Sequence, residues 1–534
     1  MAFNKKFKFT NTTKNIIPQC KIVVYQWNHD PLSFKTPDST LSKATPIEVS
    51  SQLLNVHFSK SMSSPSGSFS FSLSNSLELG SKDWKDFIKK GSWCVIYMTQ
   101  DGDLNPNPNV GTPFPIKNAS QGKKIRCIGY IERASYKSTT LDTGALDIVF
   151  EVSGRDFGII YEDTSLWQNI FHFEQMLLQN VETSQLNVTS AVTIDKALKL
   201  IHDLFFYPLH IHGAKVNNNK SLLEIALQWL LPRNMITDIG FNSNQVKSTP
   251  YWGSLPVTHF NETLAGIAVE KPTDFLSGNA WEKLKVISVP ELHELFTELD
   301  SSGLPKLNFR PIPFAIDKSK YTRVGSKITY YKDLPFITVP AIDVFDVDVG
   351  EDSHNRYNSF LLTTSTSLQN NNNNITPLQG SRFPLHIQDS IKRHGFRPMH
   401  VTVASIIQNT VRDNGLADLH RLVEFNEVMY DYWNNAVFAE SGSVQKVGSN
   451  DVKIGMCLKF DDSTPYVNGK RYYIEGYTDT FMIEDKGSMA WSQEVVLTRG
   501  FEEQDLLAKS GFLTRASDFE ASGEYTPTKV SDKA

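Results

Sequence analysis

His202, His210 and His212 are the side chains whose type and spacing come nearest to a metal site. Neutral histidine is the commonest metal ligand, and positions 210 and 212 form a His-x-His pair. A zinc centre needs three or four placed ligands, and His202 falls on a helical apolar stripe, so the cluster is read as structural. Asp343, Asp346, Asp348, Glu351 and Asp352 are spaced like half of a calcium loop. Such a loop requires a bidentate glutamate at its twelfth position. Counted from Asp346, that position is Tyr357. The acidic residues are therefore read as charges facing outward from a strand, VFDVDV.

No Gly-x-Ser-x-Gly, His-Glu-x-x-His, Walker A or Gly-x-Gly-x-x-Gly pattern occurs. The common nucleophile, metallohydrolase and phosphate-cradle signatures are thereby missing. Paired carboxylates for glycoside hydrolysis depend on distance in space, not in sequence, and stay open as an alternative. Trp84, Trp93, Trp167, Trp229, Trp252, Trp281, Trp433 and Trp491 are spread along the chain, as core and subunit contacts are, and form no stacking platform. Cys20, Cys94, Cys127 and Cys457 include no Cys-x-x-Cys pair and read as buried reduced thiols. No residue is assigned a catalytic, cofactor-binding or metal-binding role, and the chain is not expected to be an enzyme.

The 534 residues carry 53 Lys+Arg against 58 Asp+Glu, a formal charge of −5. That balance lacks the basic surplus of a nucleic-acid reader. With 40% hydrophobic and 21% charged residues the composition is globular. No apolar run approaches the roughly 18 residues of a membrane span, and MAFNKKFKFTNTTKN has no apolar signal core. A membrane or secreted protein is not expected, so the Asn-x-Ser/Thr matches at Asn11, Asn118, Asn187 and Asn261 carry no weight.

The elements that would position these residues fall into blocks. Residues 1–44 are a polar extension with one strand, CKIVVYQW. Residues 45–165 alternate with period two: Phe69, Phe71 and Leu73 point one way while Ser68, Ser70 and Ser72 point the other, as in a half-buried antiparallel strand. DWKDFIKKGSW reads as a short helix ending near Gly91, with Lys89 and Lys90 at its C-terminus. Residues 166–325 are α-rich, with amphipathic stripes in TSLWQNIFHFEQMLLQNVE, TIDKALKLIHDLFFYP and SLLEIALQWLLP. That block ends with VPELHELFTEL as a helix, a Gly-Leu-Pro break and a strand. Residues 326–505 return to strands around a long helix, DNGLADLHRLVEFNEVMYDYWNNAVFAE, and 506–534 form a loose tail. The expected fold class is α+β, predominantly antiparallel β, with two β-barrel domains and an α-rich insertion between them.

Three local patterns, in this order, resemble the baseplate hub proteins of contractile-tailed bacteriophages of the T-even type. The first is GSFSFSLSNSLELGSKDWKDFIKKGSWCVIYM followed by IRCIGYIERASYKSTTLDTGALDIVFEVSGRDFGIIYEDT, similar to the family's first tube domain with its SGRD turn. The second is ELFTELDSSGLPKLNFRPIPF, with Gly303–Pro305 and Arg310–Pro313, similar to the family's linker. The third runs from NRYNSFLL through LHIQDSIKRHGFRPMHV to EVVLTRG and is similar to the second tube domain. It carries Asp389, Ser390, Ile391, Gly395 and Arg397, and closes on Arg499 and Gly500. The spike proteins of type VI secretion share these tube domains.

The resemblance implies a structural hub: a homotrimer whose six tube-like barrels join a sixfold tail tube to a threefold central spike. Its implied partners are the central spike protein, the tail tube or tube-initiator protein, baseplate wedge proteins and the tape-measure protein. DNA would pass through the axial channel without specific binding. The implied location is the virion tail baseplate, after assembly in the host cytoplasm and without stable membrane association. The alternatives are a central tail-tip protein of a non-contractile phage and a tail-associated cell-wall hydrolase. The runs SGSFSFSLSNS and EVVLTRG, apolar on one face and without a blocking proline, are the expected sheet edges through which subunits would join.

Overall fold

The computed structural model describes mainly residues 17–27, 44–75, 83–163, 293–313, 334–364, 385–403, 440–461 and 469–502, with short gaps inside several of these and a few single positions between them. The described residues are predominantly antiparallel β. The first half supplies β1 (Gln19–Trp27), β2 (Ala44–Glu48), β3 (Leu53–Ser61), β4 (Ser68–Ser74), β5 (Trp93–Thr99), β6 (Ile125–Thr140) and β7 (Leu146–Asp156), with the short helices α1 (Trp84–Phe87) and α2 (Ile159–Asp163). A hairpin of β8 (His293–Leu299) and β9 (Pro305–Pro311) follows. The second half supplies β10 (Phe336–Val339), β11 (Val344–Glu351), β12 (Ser359–Thr364), β13 (Leu385–His386), β14 (Pro398–Val403), β15 (Glu440–Val447), β16 (Cys457–Phe460), β17 (Lys470–Ile483) and β18 (Met489–Glu502).

Two closed barrels were expected. The described strands form instead one open sheet of 13, ordered β11-β15-β18-β17-β3-β4-β7-β6-β5-β1-β2, with β16 and then β10 branching from β17. The cause lies in the 14-residue β17. Arg471–Tyr473 pair with β16, whereas Gly476–Met482 pair antiparallel with Ser61–Asn55 of β3. The backbone groups that could have closed the second half on itself are thus used to join it to the first. β13-β12-β14 form a separate three-stranded sheet.

One hydrophobic core runs through both halves. It includes Ile22, Val56, Phe71 and Val152 from the first, Phe296 from the hairpin, and Leu458, Ile474 and Leu497 from the second. The apolar face of SFSFSLS is as expected, with Phe69, Phe71 and Leu73 buried; on the other face Ser68 is exposed, but Ser72 is buried as well. All seven residues of β5 are buried. Cys94, Ile96 and Met98 enter the core, and on the opposite face Trp93 packs edge-on against Tyr130. The four cysteines are free and buried.

Two elements depart from the expected secondary structure. The helix at DWKDF stops after one turn. Asp83 and Asp86 close a capping box, but Ile88 is extended and buried. Gly91, at φ +87°, turns the chain back so that its N–H bonds Ile131 O at 2.9 Å. The second is HELFTEL, expected as a helix and found as β8. Leu292, Leu295, Phe296 and Leu299 satisfy a helical stripe, yet every residue of β8 is buried, an environment that a one-sided helix cannot use. The amphipathic stripes between 166 and 231, and nearly all of the long helix at 413–440, lie outside the described residues. Among the described residues no helix is long and apolar enough to cross a membrane.

Candidate functional site

The joint between the halves concentrates the charge that the strands bury. Arg126, in the apolar run IRCIGYI of β6, is fully enclosed; its Nε donates to Asp479 Oδ2 at 2.5 Å and its Nη1 to Val452 O at 2.9 Å. Its guanidinium lies over the Tyr477 ring at 3.8 Å. Asp479 Oδ1 also accepts from Trp491 Nε1 at 3.0 Å and Gln493 Nε2 at 2.9 Å. Burial works against the Arg126 charge, but Asp479, Tyr477 and Glu298 outweigh it, and its pKa lies above the ordinary value. Lys60 of β3 pairs with Asp156 at the end of β7, both buried, and burial pushes the Asp156 carboxyl up.

The β8–β9 hairpin clamps this joint. Thr297 Oγ1 donates to Pro65 O of the first half. Glu298 Oε2 accepts from Ile454 N of the second at 3.0 Å. Arg310 donates from Nε to Glu294 Oε2 at 2.8 Å, and from Nη2 to Gly455 O at 2.6 Å and Tyr473 Oη at 2.8 Å. Tyr473 Oη in turn donates to Glu294 Oε1 at 2.6 Å. At the hairpin turn Gly303 has φ +81°, and a Cβ there would lie 2.2 Å from Gly122 O. Only glycine lets the turn sit this close to the first half.

The residues singled out in the sequence distribute differently. His202, His210 and His212 lie outside the described residues, as do Asp352, Asp389 and Ser390, and with them Trp167, Trp229 and Trp252. Asp346 and Asp348 are exposed on β11, as the outward reading of VFDVDV requires. Among the described residues no group of three or more His, Cys, Asp or Glu could hold a metal. Trp84, Trp93, Trp281 and Trp491 are buried. SGRD, expected as a turn, forms the last four residues of β7. Gly395, at φ +76°, ends a helical turn with its N–H on Ile391 O. Arg499 and Gly500 place one extra residue in β18 opposite Arg471–Tyr473. Arg499 itself takes φ +55°, and Tyr331 Oη spans the irregularity by donating to Arg471 O and Arg499 O at 2.9 and 2.8 Å.

The expected subunit-joining edges are interior strands. SGSFSFSLSNS is β4, paired on both sides by β3 and β7, and EVVLTRG is part of β18, paired by β15 and β17. The main path of the sheet ends instead at β11 and β2. Glu48 of β2 already exchanges backbone bonds with Gly111.

The buried charges of the joint were absent from the sequence reading. Their one signal is a charged residue in the middle of an apolar strand run, such as Arg126 in IRCIGYI or Asp479 in YTDTFMI.

Lys446, inside β15, gives a measurable consequence of such burial. Desolvation, opposed by Asp479 and Asp343, lowers its pKa from 10.5 to about 8. The unfolded chain therefore binds more protons between pH 8 and 10.5, and stability rises with pH through that window. Near pH 10 the rise is opposed by Tyr161 and Tyr477, whose pKa values burial raises. Lys453, whose pKa burial also lowers to about 8, adds to the climb, so Lys446→Met is expected to reduce it without removing it, read as urea midpoints from pH 7.5 to 10.

No protein-family model matches the chain, and no curated protein matches it. Solved structures do. The tail protein from Neisseria meningitidis MC58 is 13% identical with a TM-score of 0.39, over 90% of this chain and 96% of that one. The 43 kDa tail protein of prophage MuSo2 from Shewanella oneidensis is 12% identical with a TM-score of 0.40, over 90% and 98%. The half-lidded Francisella PdpA-VgrG complex is 9% identical with a TM-score of 0.36, over 90% of this chain and 58% of that one.

Proposed function

We propose that this protein is a structural component of a bacteriophage tail, the baseplate hub of a contractile tail. It acts as a homotrimer that joins the sixfold tube to the threefold central spike, holds tube, wedge and tape-measure proteins around it, and lets DNA pass without reading it. It performs no catalysis. The observation that carries this reading is where the hub-like patterns meet. SGRD, the Gly303–Pro305 and Arg310–Pro313 linker, and the strand closing on Arg499 and Gly500 are far apart in the chain. In the fold, Arg310 of the second bonds Gly455 O of the second half, and Asp156 of the first holds Lys60 on β3, the strand that pairs with β17. The third lies on β18, paired with β17 beside it. A hub must transmit load between tube and spike, and a continuous sheet clamped by buried ion pairs does so without an active site.

Native mass spectrometry of the full chain with its spike partner is expected to report three copies of this protein. A chain that stays monomeric with that partner overturns the trimer. A cleared band on a cell-wall zymogram overturns the non-enzymatic role and favours the hydrolase.

A further inference from the structure

We propose that copies of this protein join strand to strand, the unpaired half of β6 in one copy adding antiparallel to the outer edge of β11 in the next. The inference rests on the oligomeric reading above and names its contact. β5 pairs only with residues 125–130 of β6, and the backbone bonds of Ile131 with Gly91 and Ser92 end that contact. From 133 to 140, β7 is the one described strand that pairs with β6. β15 is likewise the one described strand that pairs with β11, in an unbroken register from Asp346 to Glu351. Edges of this kind present rows of backbone N–H and C=O groups that another strand can satisfy.

Strand direction and side-chain face both allow the pairing. From one edge to the other the sheet runs β11-β15-β18-β17-β3-β4-β7-β6, and every neighbouring pair is antiparallel. An odd number of reversals leaves β6 running opposite to β11. Copies related by rotation about an axis along the strands keep these directions, so β6 of one meets β11 of the next antiparallel. Ala134 and Tyr136 of β6, and Val347 and Val349 of β11, pack against the core. Arg133, Asp346 and Asp348 are exposed on the opposite face. A register with Arg133 opposite Asp348 sets Ala134 opposite Val347, apolar against apolar and charge against charge.

Charge selects the partner. Among the described residues Arg133 meets no carboxylate, whereas Lys137 on the same face is held by Glu151 at 3.1 Å. Asp346 Oδ1 accepts from Val347 N of its own strand at 3.0 Å, and neither Asp346 nor Asp348 is paired with a described cation. A twofold contact of β11 with itself would set these aspartates against their copies, and one of β6 with itself would oppose the cations; like charges across a strand pair destabilise it. β6 against β11 brings the free cation to the free anions instead. Because the two edges differ, the contact is head-to-tail, the kind that closes into a ring when the rotation permits.

The test places a disulfide across the contact in the full chain. Arg133→Cys with Asp348→Cys, oxidised and run on a denaturing gel without reductant, is expected to give linked chains up to the trimer. The four native thiols are buried and should stay out of the reaction, and neither single variant should link. Separately, Arg133→Glu is expected to weaken association at least about fivefold by light scattering, and adding Asp348→Arg to restore it. Far-ultraviolet circular dichroism is expected to stay unchanged in both. A linked dimer from Asp348→Cys alone means that β11 meets its own copy, and overturns the contact. Trimers by native mass spectrometry that fail to cross-link, or a loss in Arg133→Glu that Asp348→Arg does not restore, overturn it while the oligomeric reading stands. A wild-type chain that is monomeric at every concentration, with and without the spike partner, overturns both.

Discussion

Arg126→Met is expected to destabilise the protein by about 3–5 kcal/mol, the range for removing one partner of a buried ion pair. The loss is large because Asp479 stays behind, fully enclosed. Its remaining donors, Trp491 Nε1 and Gln493 Nε2, both meet Oδ1, so Oδ2 would be left without the guanidinium. Adding Asp479→Asn removes the stranded charge while an amide oxygen can still accept from Trp491, and part of the stability should return. The pair also ties β6 of the first half to β17 of the second, so circular dichroism and tryptophan fluorescence should lose structure in one urea transition. An unchanged midpoint for Arg126→Met would mean that the joint is not dry in solution.

Trp84→Ala is expected to cost about 3–5 kcal/mol by the cavity it leaves. The indole is fully buried, lies nearly parallel to the Phe150 ring at 6.3 Å, and donates from Nε1 to Ser74 O at 3.0 Å. Helix α1 is a single turn, too short to persist by its own hydrogen bonds, so this side chain is what seats it. Trp84→Phe keeps part of the ring packing and loses the hydrogen bond, and should fall between the two. Urea midpoints of the three proteins give the order. Equal midpoints for wild type and Trp84→Ala would contradict the packing.

Where a strand has one wet face, the sequence shows it, and β4 is readable from Phe69, Phe71 and Leu73 alone. β17 and β18 carry enough β-branched and aromatic residues to be read as strands. The hairpin strand β8 was not readable. Its apolar spacing fits a helix, and Glu294 and Glu298 look like solvent-facing charges until Arg310, Tyr473 and Ile454 N arrive from elsewhere to satisfy them. β15 went unread because ESGSVQKV has few apolar residues to alternate. The union of the two halves is a matter of which distant strand takes the free edge of β3. Alternation states which face is buried and is silent about the neighbour along the sheet.

The pairing of β3 with β17 also sets a clock on biosynthesis. Ser59 and Thr478, partners across it, are separated by 419 residues. At about 5–20 residues per second, a ribosome needs roughly 20–80 s to make the intervening chain. Throughout that interval β3 has been made but its final neighbour has not, so an edge bearing His57, Ser59 and Ser61 must wait uncapped. Every nascent copy on the same message displays the same edge. The polar character of those three positions makes the waiting strand less attractive to its siblings, while Phe58, on the other face, finds its ring partner Tyr477 only when β17 arrives.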